Sequence, residues 1–176
     1  YLERTRVTTI WIDGVKIGTQ NSLCTPHIYD ITNYLSSGEH VITILVDNTN
    51  YPTKGGHLTS ADTQTNWNGI TGKIELQIFN KEYLSDIQIY PNVKDTSVEI
   101  KAKVIGANKG VISVSGVSFN GRNEQKVEKS EFVFTSNDIS VTYLLGENAL
   151  LWSEYEPNLY KLNLNLIIDG LIVDTS

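Results

Sequence analysis

The chain has 176 residues, a formal charge of −6, three histidines and one cysteine. A net negative chain with no Lys/Arg cluster lacks the basic stripe that displaces counterions from phosphate, which argues against a nucleic-acid binder. A single cysteine, Cys24, excludes an intrachain disulfide, and no run is long and apolar enough to span a membrane as a helix.

In chain order, Thr9-Ile10-Trp11-Ile12, then Asp13-Gly14, then Val15-Lys16-Ile17 reads as a β-hairpin. Asp-Gly supplies the positive φ values that a type I′ turn needs. Asp30 to Leu35 can form one helical turn, with Asp30 as N-cap and Gly38 closing it. Val41 to Val46 is apolar on both faces and is predicted to be a central strand covered on both sides. Ile74, Leu76 and Ile78 alternate with polar residues, which predicts a half-buried strand. A boundary is expected near Asn80-Lys81-Glu82-Tyr83, where that strand ends and another, Asp86–Tyr90, begins before Pro91. Val98 to Val104 alternates next, then Ile139, Val141 and Tyr143, then Tyr160, Leu162, Leu164 and Leu166. Strand signals recur about every ten residues, the spacing of sandwich domains. Tyr1-Leu2-Glu3-Arg4 and the strand-like Leu171-Ile172-Val173-Asp174 both read as cut points in a longer polypeptide.

Asp47 to Gly72 breaks the pattern. It has no hydrophobic period and is rich in turn formers. A connector this long in a compact domain is usually functional or disordered. Tyr51, His57 and Trp67 are costly to leave loose in water, and Asn48, Asn50, Asp62, Gln64, Asn66 and Asn68 surround them. Amides and carboxylates can bind vicinal hydroxyls, and an aromatic ring offers a platform to the C–H face of a sugar. Asp62, Gln64, Asn66, Trp67 and His57 are therefore candidate substrate-binding residues. The plainer alternative is that the Asn and Asp residues make local turns and Trp67 fills the core.

No nucleophile elbow, phosphate loop, dinucleotide fingerprint or zincin motif is present. One cysteine and three scattered histidines give no zinc-type spacing, so neither metal nor cofactor is expected. His27 in its apolar stretch reads as a packed histidine and His40 as an exposed one. Glycoside hydrolysis needs two carboxyls at a set separation. Glu154 and Glu156 beside Trp152 have the right chemistry but read as loop residues ahead of the last long strand.

The residues carry a resemblance. Trp11-Ile12-Asp13-Gly14-Val15-Lys16-Ile17-Gly18 resembles the "W-x-N-G-x-x-v-G" hairpin in the sugar-binding domain of glycoside hydrolase family 2. Thr25-Pro26-His27-Ile28-Tyr29-Asp30-Ile31-Thr32 is similar to its "pf-x-x-D-i-T", and the strand Val41–Asn48 continues the pattern. Asn66-Trp67-Asn68-Gly69-Ile70-Thr71-Gly72 resembles its "aGI-x-r" turn, with Thr71-Gly72-Lys73 where many members carry Arg. Asp86-Ile87 with Pro91 looks like the opening of its immunoglobulin-like domain. Trp152-Ser153 and Pro157-Asn158-Leu159-Tyr160 look like its "W-s-p-x-x-P-x-L-Y".

The resemblance implies an all-β chain of two β-sandwich units. Residues 1–81 would be part of a galactose-binding-like jelly roll, and residues 82–176 an immunoglobulin-like sandwich. It implies a β-galactosidase-like, retaining exo-glycosidase as parent, placed in the periplasm or outside the cell. The family's two catalytic glutamates lie in a (β/α)₈ barrel that would follow, so this chain would itself be inactive. An Asp shortly before the Gly-Ile turn contacts the sugar in the family. Asp62 is the nearest match here, with Gln64 and Asn66 as competitors.

Two rival readings stay open. One is a self-sufficient carbohydrate-binding module; the other is a structural or adhesion sandwich without ligand. Expected partners are carbohydrate and the catalytic barrel of the parent, with no nucleic acid and no membrane. Exposed sheet edges would also favour self-association.

Overall fold

The computed structural model describes residues 1–22, 24–49 and 68–176. The chain divides into two units, Tyr1–Ile78 and Phe79–Ser176. It is all-β, as the alternation predicts, and among the described residues the one helical element is a short 3₁₀ turn at Thr32–Tyr34.

In the first unit, β1 (Val7–Ile12) lies between β2 (Val15–Gln20) and β3 (Ile42–Asp47) in an antiparallel sheet. Asp13 and Gly14 join β1 to β2 with φ of 47° and 81°, the type I′ geometry expected of Asp-Gly. Thr9 and Thr19 face each other across the hairpin, and their hydroxyls bond at 2.8 Å. β1 is the buried strand: Thr8, Thr9, Ile10 and Ile12 are all interior.

This corrects the reading of residues 41–46. β3 pairs with β1 alone among the described residues, and Val41, just before it, is 67% exposed. An apolar run on both faces identifies a sticky strand, but position in the sheet is decided by which backbone edges find partners. The predicted strand Ile74–Ile78 is also corrected. Leu2 bridges to both His27 and Ile74, and Tyr1 and Glu75 exchange two backbone bonds of 3.0 Å. Beyond Glu75 no strand continues, and Ile78 is 86% exposed. Alternation supplies a face, but a strand also needs a neighbour's N–H and C=O groups. The helical turn is shorter than expected as well. Asp30 Oδ1 accepts the Thr32 N–H at 2.9 Å in an Asx turn, two residues ahead of the 3₁₀ start, and Ile31 rather than Asp30 holds the cap position.

The second unit is a two-sheet sandwich. One sheet orders β4 (Tyr83–Asn92), β5 (Ser97–Ile105) and β8 (Asp138–Leu144). The other orders β10 (Leu171–Thr175), β9 (Leu159–Ile168), β6 (Gly110–Phe119) and β7 (Lys126–Phe134). The core is built from alternate residues: Val98, Ile100, Ala102 and Val104 from one sheet, Ile112, Val114, Leu164 and Leu166 from the other. Tyr143 is fully buried and donates its hydroxyl to the Glu128 carbonyl at 2.8 Å. Burial holds that hydroxyl above the ordinary tyrosine range. Gly116 sits at an irregularity of β6, where an added Cβ would lie 3.2 Å from Leu162 and 3.5 Å from the Tyr143 ring.

Tyr160, second in β9, makes a tyrosine corner. Its hydroxyl accepts the Leu150 N–H at 2.7 Å and donates to Gln125 Oε1. Gln125 in turn donates to the Leu145 carbonyl at 3.3 Å. These bonds pin the long connection between β8 and β9. A second Asp-Gly pair, Asp169-Gly170, closes the β9–β10 hairpin with φ of 49° and 82°.

Candidate functional site

The five candidate residues, His57, Asp62, Gln64, Asn66 and Trp67, lie outside the described residues, as does Tyr51. The described residues fix the two feet of the connector that carries them. Both feet stand on the segment from Glu3 to Val7.

The outgoing foot follows β3, whose last residue, Asp47, is paired with Val7. Asp47 Oδ1 accepts the Thr49 N–H at 2.7 Å and the Thr49 hydroxyl at 2.6 Å, which turns the chain away from the sheet. The returning foot is a ladder. Thr71 donates its N–H (3.1 Å) and hydroxyl (3.0 Å) to the Arg4 carbonyl. Gly72 N–H donates to Glu3 O at 3.0 Å, Glu3 N–H to Lys73 O at 2.9 Å, and Lys73 N–H to the Glu3 carboxylate at 3.2 Å. Gly69 enters this ladder at φ 84° and Arg4 faces it at φ 53°. A Cβ on Gly72 would lie 2.7 Å from the Glu3 carbonyl oxygen, so only glycine fits the close approach. Only Thr5 and Arg6 lie between Arg4 and Val7, so the feet stand within roughly 10 Å along the chain.

The base between the feet is polar where a core would be dry. Thr5 Oγ1 and Asn48 Oδ1 are buried and have no hydrogen-bond partner among the described residues. A buried polar group left without a partner costs about 1–3 kcal/mol.

The described histidines are structural. His27 is fully buried, with both ring nitrogens in hydrogen-bond contact. Nε2 lies 3.0 Å from both the N–H and the carbonyl oxygen of Ser22, and Nδ1 lies 2.6 Å from Thr8 Oγ1. Thr8 Oγ1 also bonds the Tyr29 hydroxyl at 2.8 Å, and that hydroxyl donates to the Thr8 carbonyl at 2.9 Å.

His40 is not the exposed residue expected. Its side chain is 18% exposed, and Nδ1 bonds Asp13 Oδ2 at 2.6 Å. Asp13 Oδ1 accepts the Val41 N–H at 2.8 Å, so one turn carboxylate ties the hairpin to the start of β3. The hydrogen bond to Asp13 raises the His40 pKa, and the bond from His40, then that from Val41, lowers the Asp13 pKa.

Glu154 and Glu156 lie exposed on a turn that bonds itself: Ser153 N–H donates to Glu156 O at 2.9 Å and Asn158 N–H to the same oxygen at 2.8 Å. Among the described residues no group of three His, Cys, Asp or Glu could hold a metal ion.

The profile of glycosyl hydrolases family 2 matches residues 82–176, the whole of the sandwich from β4 onward. The chain belongs to this family. Among curated relatives, a β-galactosidase of Clostridium acetobutylicum is 26% identical over 159 residues, covering 87% of this chain and 17% of that protein. A putative β-glucuronidase of Formosa agariphila is 26% identical over 179 residues, covering 99% of this chain and 21% of that protein. The chain thus spans about a fifth of the length of these relatives. A solved Bacteroides uniformis β-glucuronidase 2, covalently bound to cyclophellitol-6-carboxylate aziridine, superimposes with a TM-score of 0.69 at 18% identity. That match covers 99% of this chain and 23% of that one. At this identity it shows the fold.

Two expectations follow from this geometry. Gly72→Ala should cost the first unit about 1–3 kcal/mol in urea unfolding, because the contact it strikes is backbone and cannot swing away. An unchanged midpoint would refute the close approach. For the His40–Asp13 pair, the histidine's contribution is full below its ordinary value of 6.5 and is lost as pH rises through the higher folded value. The aspartate's is full above 3.8 and is lost as pH falls through its lower folded value. Both are complete between those limits. A ¹³C-resolved imidazole titration should place the His40 midpoint above 6.5, and Asp13→Asn should return it towards that value. Identical midpoints in the two proteins would exclude the pair.

Proposed function

We propose that this chain supplies two non-catalytic β units of a β-galactosidase-like family 2 glycosidase, with hydrolysis carried out in the remainder of the parent. The observation that carries the reading is the family match on a sandwich with an apolar core, within a chain about a fifth as long as its relatives. The first unit, as part of a jelly roll, would present the connector to the sugar, with Asp62, Gln64, Asn66, Trp67 and His57 as contacts. The second would brace the catalytic barrel. The polar base under the connector and its double anchorage on residues 3–7 support this assignment. Exposed apolar side chains on the first unit, Val41, Leu45, Ile74 and Leu76 among them, support association with other surfaces, including a second copy.

The purified chain should not turn over p-nitrophenyl β-D-galactopyranoside or the corresponding β-glucuronide. Titrated with galactose by NMR, it should bind weakly, since most contacts to a pocketed sugar would come from elsewhere. Measurable turnover would overturn the non-catalytic role. Micromolar, saturable binding abolished by Trp67→Ala would replace it with a self-sufficient binding module. Analytical ultracentrifugation should show dimers or larger species, and a monodisperse monomer at high concentration would exclude the association.

A further inference from the structure

The outer face of the three-stranded sheet and the β4–β5 hairpin enclose an open cleft of about 550 Å³ in the second unit. Strand register sets Tyr90 on β4, Glu99 on β5 and Thr142 on β8 side by side. Their neighbours along β5 and β8, Val98, Ile100, Val141 and Tyr143, pack in or against the core, so alternation turns the polar set outward. The hairpin forms a wall because Asn92 organises it. Its Oδ1 accepts the N–H groups of Lys94 (3.1 Å) and Asp95 (3.3 Å), and its Nδ2 donates to Asp95 Oδ2 at 2.8 Å.

The cleft is also held in place from below. The Tyr90 hydroxyl donates to Gln88 Oε1 at 2.6 Å, and Lys101 Nζ lies 5.1 Å from the ring centroid. The residue nevertheless remains 47% exposed. Glu99 Oε1 accepts the Ser140 hydroxyl at 2.8 Å and lies 3.5 Å from Lys101 Nζ. Glu99 Oε2 and Asp95 Oδ1 take part in no hydrogen bond among the described residues. The cleft therefore offers two preset acceptors, the Thr142 hydroxyl, and apolar surface from Tyr90 and the exposed Val93.

We propose that this cleft is a second carbohydrate site, selective for a neutral glycan. Carboxylate oxygens accept from vicinal hydroxyls, and a fixed ring edge or face packs on sugar C–H groups. Asp95 and Glu99 both face the cleft, and Lys101 pairs with only one of them, so a neutral sugar is favoured over a uronic acid. Such a site would hold distal units of a polymeric substrate. The inference rests on the parent acting on carbohydrate, but the cleft is built entirely from residues outside the connector. Being open, it should bind weakly, with affinity in the millimolar range expected of a few solvent-bordered contacts.

The test is an amide NMR titration of the chain with β-1,4-galactotetraose and, separately, tetragalacturonate. The neutral tetramer should produce saturable shifts confined to residues 90–99 and to Thr142, and the anionic one should not. Tyr90→Ala should weaken binding about tenfold. Glu99→Gln, which keeps the shape and removes the charge, should weaken it less and admit tetragalacturonate. Absent shifts at these residues, shifts that persist unchanged in both variants, or equal binding of the two tetramers by the unmodified chain would each overturn the site. Turnover of aryl glycosides would sink the proposed function and leave the cleft standing. Silent cleft residues in an inactive chain would sink the cleft alone.

Discussion

The backbone of residues 1–7 is the constraint on which the first unit depends. Buried N–H and C=O groups must be paired, and this short stretch pairs on both sides. Leu2 exchanges bonds with His27 on one side and bridges Ile74 on the other. Glu3 and Arg4 hold residues 71–73, and Val7 hands the chain to β1 opposite Asp47. Every route into or out of the connector therefore passes through one strip of backbone. Its rigidity comes from the sheet behind it, where β1 is buried on both faces and the His27–Thr8–Tyr29 chain leaves none of its polar groups unmet.

The second unit solves a different problem. Its two sheets bury a continuous apolar interior, and side-chain hydrogen bonds discipline the long link from β8 to β9 rather than more secondary structure. Tyr160 and Gln125 tie that link to strands of the same sheet, while Tyr143 crosses the core to reach β7. The outward face of the three-stranded sheet brings Tyr90, Glu99 and Thr142 side by side.

Much of this was legible in the residues. One-sided alternation located β5, β8 and β9, and their inward residues are the ones named by period. Asp13-Gly14 announced its turn because few residue pairs tolerate two consecutive positive φ values. What periodicity could not carry was neighbourhood. Val41–Val46 looked central because apolarity says nothing about which edge is left over, and Ile74–Ile78 looked like a strand because alternation says nothing about available backbone partners. His40 looked free because its partner lies 27 positions away, across a hairpin. β6 and β7 carried weaker signals, one small and serine-rich, the other dense in Lys and Glu. Of the candidate site, the sequence located the connector and the structure supplies its anchors.

The composition of β7 has a consequence for how such a chain is assembled. It is the outermost strand of its sheet, and Lys126, Glu128, Lys129 and Glu131 crowd its length. A foreign strand approaching there meets ammonium and carboxylate groups whose spacing it does not match, so this edge of the sandwich resists zippering onto a neighbour. The opposite edge, β10, carries the exposed Leu171 and Ile172 and has no such guard, so the sheet is protected from one side only.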